Sequence, residues 1–129
     1  MESNNYLHSD ITAKILKAFY NVYNTLGHGF LEKVYEKAMM IELKDLDLYC
    51  KAQSRIDVFY KDSHVGEYYA DIIVEEKVII ELKAAENINP AHEAQLVNYL
   101  RGTNIEVGLL LNFGEKPMHV RRVLTKDYK

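Results

Sequence analysis

The chain has 129 residues, 48% hydrophobic and 27% charged, with a net charge of −3. That is enough for one domain, 1–129, with a real core, too little for two, and not the charge balance of an obvious nucleic-acid binder. No apolar run approaches the roughly 18 residues of a membrane span, and the polar start Met1-Glu2-Ser3-Asn4-Asn5 lacks the regions of a signal peptide, so a cytosolic protein with no membrane partner is expected.

Ser9 is a candidate cap for a helix over 10–26, where Ile11, Ile15, Phe19, Val22 and Leu26 recur at helical spacing, with Gly27 at the stop position. A second helix is expected from 30 or 31 to 46, with Leu31, Val34, Tyr35, Ala38 and Met39 inward. A strand over 52–60 alternates Ile56, Val58 and Tyr60, and Lys61-Asp62-Ser63-His64 turns it into a strand over 65–74. A third strand covers 78–84. Asn89 caps a third helix with Pro90 at its first position, where proline costs no hydrogen bond, and that helix ends at Arg101-Gly102. A strand over 106–113 follows, its Leu109-Leu110-Leu111 reading as buried on both faces, then a short strand over 119–124. The order ααβββαβ plus a short C-terminal strand predicts an α/β fold, a mixed sheet with helices on its faces.

The chemistry concentrates in the hairpin. Asp71, Glu81 and Lys83 read D-x9-E-x-K inside an apolar, β-branched stretch. With Val74 opposite Val78 and an odd loop at Glu75-Glu76-Lys77, Asp71 lies across from Glu81. One face then carries Tyr69, Asp71, Ile73, Ile79, Glu81 and Lys83, and the other is apolar, from Ala70, Ile72 and Val74 to Val78, Ile80 and Leu82. A two-residue loop would put the acids on opposite faces. Like charges directly across strands are destabilising. Either the acids lie at a solvated edge with Lys83 neutralising Glu81, or a divalent cation takes both carboxylates, since hard cations prefer oxygen ligands.

Three further groups bear on that choice. Glu32 and Tyr35 share a face at the start of the second helix, where the dipole alone would favour an acid; Glu32 is also placed to be a third carboxylate, and Tyr35 to be core or to serve the site. His92, Gln95 and Tyr99 form a polar stripe on the third helix, either wet or lining a groove. Residues 115–129 hold five basic side chains, Lys116, Arg121, Arg122, Lys126 and Lys129, against two acids, whereas the rest holds eleven against seventeen; such a tail is a phosphate contact or a solvated end. The single cysteine, Cys50, forms no internal disulfide and reads as a buried small hydrophobe. No zinc spacing, GxGxxG, P-loop or G-x-S-x-G is present.

These residues resemble the PD-(D/E)xK nuclease superfamily. Gly29-Phe30-Leu31-Glu32-Lys33-Val34-Tyr35 is similar to the motif of the small bacterial GxxExxY proteins, and Gln95 with Tyr99 to the Q-x-x-x-Y element of RecB-like nucleases. The proline of the superfamily name is replaced by Ala70. The resemblance implies a restriction-endonuclease-like core and a Mg²⁺- or Mn²⁺-dependent deoxyribonuclease. Asp71 and Glu81 would be metal ligands, with the Leu82 carbonyl a further one and Glu32 an accessory acid acting directly or through water. Lys83 would position or activate the attacking water. Tyr35, His92, Gln95 and Tyr99 would be accessory or contact the DNA backbone. A homodimer or protein partner would supply further DNA contacts. The alternatives are a non-catalytic nuclease-like module that binds nucleic acid or a partner protein, and a structural oligomer whose acids pair with lysines.

Overall fold

The computed structural model describes residues 7–126. Two helices, α1 (Ser9–Leu26) and α2 (Glu32–Asp45), precede three strands, β1 (Cys50–Tyr60), β2 (Ser63–Val74) and β3 (Val78–Lys83). Helix α3 (Pro90–Arg101) crosses to β4 (Val107–Phe113), and β5 (Pro117–Val123) returns beside it. The sheet order is β1-β2-β3-β4-β5. Only β3 and β4 run parallel; the other pairs are antiparallel. A parallel pair needs a long crossover, and α3 provides it.

The sheet is covered on both faces. Ile72, Val74, Val78, Ile80 and Leu82 join Leu109, Leu111 and Phe113 beneath α1 and α2, which contribute Ile15, Phe19, Tyr35, Met39 and Leu43. Ile79 and Leu110 face the other way, onto Leu96, Tyr99 and Leu100 of α3. All seven residues of β4 are buried, as its leucine run predicts for a central strand covered twice. The Tyr35 ring stacks on Phe113 at 4.0 Å between centroids, and such aromatic pairs add about 0.5–1.5 kcal/mol beyond their buried area. Cys50 is a free, buried thiol.

The local chemistry of the turns sets the registers. Val74 pairs with Val78 across a three-residue loop, the odd length expected. Glu75 and Glu76 both take left-handed backbone, φ 54° and 55°, a conformation side-chain-bearing residues rarely adopt. Glu75 is held there from two sides: its N–H donates to the Tyr49 carbonyl at 2.7 Å, and its carboxylate accepts from the Tyr49 N–H at 2.6 Å.

Four expectations need correction. Ser9 is the first residue of α1 and not its cap; His8 occupies that place with φ 56° and no side-chain cap, its carbonyl accepting from Thr12 at 3.0 Å. The β1–β2 turn is two residues, not four: Lys61 and Asp62 are both left-handed, the backbone that matches strand twist in short hairpins. In α2 the buried stripe is Tyr35, Met39 and Leu43 together with Glu36; Leu31 precedes the helix, and it and Val34 are exposed. Ala70, expected beside Ile72, packs instead with Ile79 and Tyr99. The pleat is interrupted between those two residues. Opposite Asp71, between the pairs Ala52↔Ile72 and Ser54↔Ala70, Gln53 has φ 53° and leaves the ladder.

Candidate functional site: a fork between two strands

The β2–β3 ladder ends at Ile72↔Ile80. Beyond it, side chains replace backbone pairing. Glu81 Oε1 accepts from the Asp71 N–H at 3.1 Å, and Asp71 Oδ2 accepts from the Leu82 N–H at 2.7 Å. Each carboxylate therefore satisfies a donor that the sheet would otherwise have used, and the strands fork around two acids. Glu81 is 4% exposed and Asp71 half-buried.

Helix α2 brings more acid to the fork. Glu32, Lys33, Glu36, Gln53, Asp71 and Leu82 line one small cavity of about 140 Å³. Glu36, 7% exposed, accepts from Gln53 Nε2 at 2.6 Å and has Lys33 Nζ at 3.6 Å. Gln53 Nε2 also reaches Asp71 Oδ1 at 3.4 Å. The left-handed backbone of Gln53 thus places its amide between two acids, donating to both.

The electrostatics record the crowding. Burial, first, and then the Asp71 carboxylate push Glu81 up to about 8, against a smaller lowering by the Asp71 N–H and the Lys83 charge. Asp71 is also raised, chiefly by burial and further by Glu36 and Glu32, while the Leu82 N–H and Gln53 oppose. Among the described residues neither Asp71, Glu81 nor Glu32 has a basic group within ion-pair distance. Lys83 makes no ion pair there either, although its charge reaches Glu81. Asp71, Glu81, Glu32 and Glu36 gather more negative charge than Lys33 and Lys83 offset, and carboxylate oxygens suit a hard divalent cation, but among the described residues these acids do not bring three ligand atoms within 4.8 Å of one another.

The remaining predicted site residues divide. Tyr99 lies on the α3 side, 4% exposed, and its phenol is pushed up to about 12 by burial, Glu81, Asp71 and Tyr68. It is a protonated hydroxyl close to the acids. Gln95, one turn earlier, is half-buried. His92 is drawn elsewhere: its ring completes a capping box with Asn89 at the start of α3, Nδ1 accepting from the Asn89 N–H at 3.3 Å. Tyr35 is fully buried, the core alternative of the two the sequence offers. Its hydroxyl donates to the Gly27 carbonyl at 2.7 Å and accepts from the Phe30 N–H at 3.2 Å, so it braces the turn before α2. The basic tail is largely committed: Arg121 donates to the Leu7 carbonyl at 2.8 Å, Arg122 pairs with Glu93, and Lys126 donates to the Leu100 carbonyl at 2.6 Å. Lys129 lies outside the described residues.

Sequence reasoning missed Glu36 and Gln53. Glu36 carried a signal, since it stands four residues from Glu32, and like charges at that spacing oppose each other on a helix. Gln53 carried none, because its part depends on a backbone conformation. A second cluster also escaped notice. Asp57, His64 and Glu67, on the β1–β2 hairpin, bring ligand-type atoms within 4.8 Å of one another. Arg55 already occupies that cluster, 2.8 Å from Asp57 and 2.9 Å from Glu67.

The fold is similar to that of a known protein. The crystal structure of SSO0001 is similar, with a TM-score of 0.58 at 16% identity, over 74% of this chain and 50% of that one; this chain therefore spans about half of that protein. No curated protein matches the chain. A mixed five-stranded sheet flanked by helices in the order ααβββαββ is the restriction-endonuclease-like arrangement. The family model described as "PD-(D/E)XK nuclease superfamily" matches residues 9–123, nearly the whole chain, and the protein belongs to that superfamily.

Proposed function

We propose that the protein is a metal-dependent nuclease that hydrolyses phosphodiester bonds in DNA, of the GxxExxY type. The observation that carries this reading is the fork itself: Asp71 and Glu81 stand in the strands with no basic group within ion-pair distance among the described residues. Burying like charges is costly, and a site that needs a cation accounts for the cost.

Asp71 and Glu81 hold the divalent ion, Mg²⁺ or Mn²⁺, with the Leu82 carbonyl as a further oxygen and Glu32 acting directly or through water. Such an ion polarises a phosphate oxygen and lowers the pKa of a bound water. Gln53 and Glu36 keep Asp71 oriented. Lys83 offers a compact ammonium that orients the attacking water and stabilises charge developing on the phosphate. Tyr99 remains protonated and can donate to a phosphate oxygen, with Gln95 beside it on the same face. The cytosol, with its reducing conditions, fits the unpaired Cys50. A second copy or a protein partner would add DNA contacts to a chain of net charge −3.

The test is incubation of the purified protein with single-stranded, duplex and branched DNA, with Mg²⁺, with Mn²⁺ and with EDTA. Divalent-dependent cleavage that disappears in Asp71→Asn is the expected result. Binding without cleavage under every condition would favour a non-catalytic nucleic-acid module.

A further inference from the structure

A cavity of about 440 Å³ opens beside the fork, between the loop at His28, Gly29, Phe30 and Leu31 and the loops at Ala84–Glu86 and Phe113–Glu115. It begins one residue from the proposed chemistry on both sides: Leu31 precedes Glu32, and Ala84 follows Lys83. We propose that this cavity receives a single unpaired nucleobase of the strand whose phosphate lies at the fork. The inference rests on the nuclease reading and adds a substrate feature to it, a base out of the stack next to the scissile bond.

The lining decides against phosphate and for a ring. Among the described residues no lysine or arginine contributes to it, while Glu86 and Glu115 do. Two carboxylates repel a phosphate but can accept hydrogen bonds from the amino groups on a base edge. Two apolar side chains of the lining are open. Phe30 is 46% exposed and Leu31 79% exposed. The Phe30 ring is nevertheless held, its edge-to-face contact with Tyr35 having centroids 6.1 Å apart. A fixed aromatic ring with an open surface is a stacking platform for a base of any identity.

The walls are fixed before any ligand arrives. The buried Tyr35 hydroxyl ties Gly27 to Phe30. Asn112, fully buried, grips Ala85 at both ends of its side-chain amide, accepting from its N–H at 3.0 Å and donating to its carbonyl at 2.9 Å. The Tyr23 hydroxyl donates to the Gly114 carbonyl at 2.8 Å and also touches the Glu115 carbonyl. Gly114 lets the two loops close together, because a Cβ there would sit 2.6 Å from the Ala85 carbonyl oxygen. Three separate interior anchors converge on three surface loops that enclose one cavity. Preorganisation of this kind reduces the ordering cost of binding.

Removing every base tests the assignment, because a pocket indifferent to base identity leaves the register along a strand free. Fluorescence anisotropy would follow single-stranded DNA 12-mers in EDTA, intact or fully abasic. The abasic strand should bind the wild type roughly tenfold more weakly, the scale of one base–aromatic stack. Phe30→Ala should weaken the intact 12-mer by a similar factor and leave the abasic one unchanged. Equal affinity of the wild type for the two strands, or an undiminished affinity in Phe30→Ala, overturns the base pocket. If Mg²⁺-dependent cleavage persists alongside equal affinities, the nuclease reading stands without it. If no DNA binds with or without Mg²⁺ and none is cleaved, both fall.

Discussion

The β1–β2 hairpin and the β2–β3 fork each gather acidic side chains, and they resolve the problem in opposite ways. On the hairpin, Arg55 sits between Asp57 and Glu67, and His64 Nε2 is 2.9 Å from Asp57. Asp57 is held below the usual carboxylate range by its hydrogen bonds to Arg55 and His64. At the fork, burial raises both acids, with Glu36 and Glu32 adding to the rise at Asp71 and Asp71 adding to it at Glu81. The hairpin cluster is balanced by its own cation and half exposed. The fork is more deeply buried, and among the described residues no basic group stands within ion-pair distance of Asp71 or Glu81. On the proposed reading, uncompensated burial marks a metal site better than proximity of acids does.

The comparison can be broken most sharply at Lys83. Lys83→Ala should reduce DNA cleavage ~100-fold or more while leaving divalent affinity nearly intact, the scale of losing one electrostatic stabiliser. Lys83→Arg should not restore full activity, because a planar fork does not replace a compact ammonium. A cleavage assay with parallel metal titration separates the two effects.

Neutralising the fork should stabilise the metal-free protein. Glu81→Gln keeps an oxygen to accept the Asp71 N–H and removes the repulsion, so it should add ~1 kcal/mol in urea unfolding with EDTA at pH 8. A loss of stability there would mean that the charged acid supports the fold.

The same comparison has a pH form. Glu81 titrates near 8 in the folded chain against an ordinary 4.5, so between those values the folded state holds a proton that the unfolded state has released. Its contribution to stability is full below the unfolded value and declines as pH rises through the folded one. Metal-free stability should therefore fall from about pH 5 to pH 8, and saturating Mg²⁺ should reverse the fall by replacing the proton. Asp57 has the opposite sign: its lowered value contributes stability above the ordinary carboxylate range, lost only in acid. Thermal melts across pH in EDTA and in Mg²⁺ would show the difference. The smallest effect is expected at the hairpin itself, where Asp57→Asn should leave cleavage unchanged and hardly move the melting midpoint, because exposed ion pairs contribute little.

Much of this contrast was legible in the residues. The branched apolar hairpin predicts Val74 opposite Val78 and brings the two acids to the same level, because alternation and loop parity leave one solution with a clean core face. The leucines of β4 announce a strand buried twice, and Asn89-Pro90 announces the start of α3. What stayed hidden depends on backbone conformations that composition does not encode. Gln53 turns left-handed, reverses the expected face of Ala70 and delivers an amide to Asp71 and Glu36. Tyr35 and His92 were placed on the correct helices, but their polar atoms are spent on the Gly27–Phe30 turn and the Asn89 cap. Side-chain hydrogen bonds to nearby backbone are local choices that helix periodicity does not reveal.

The central claim is that the fork, and not the hairpin cluster, holds the divalent ion. Calorimetric titration of Mn²⁺ into wild type, Asp71→Asn and Asp57→Asn tests it most directly. One site is expected in the wild type, retained in Asp57→Asn and lost in Asp71→Asn. Binding that survives Asp71→Asn and disappears in Asp57→Asn would contradict it and move the ion to the hairpin.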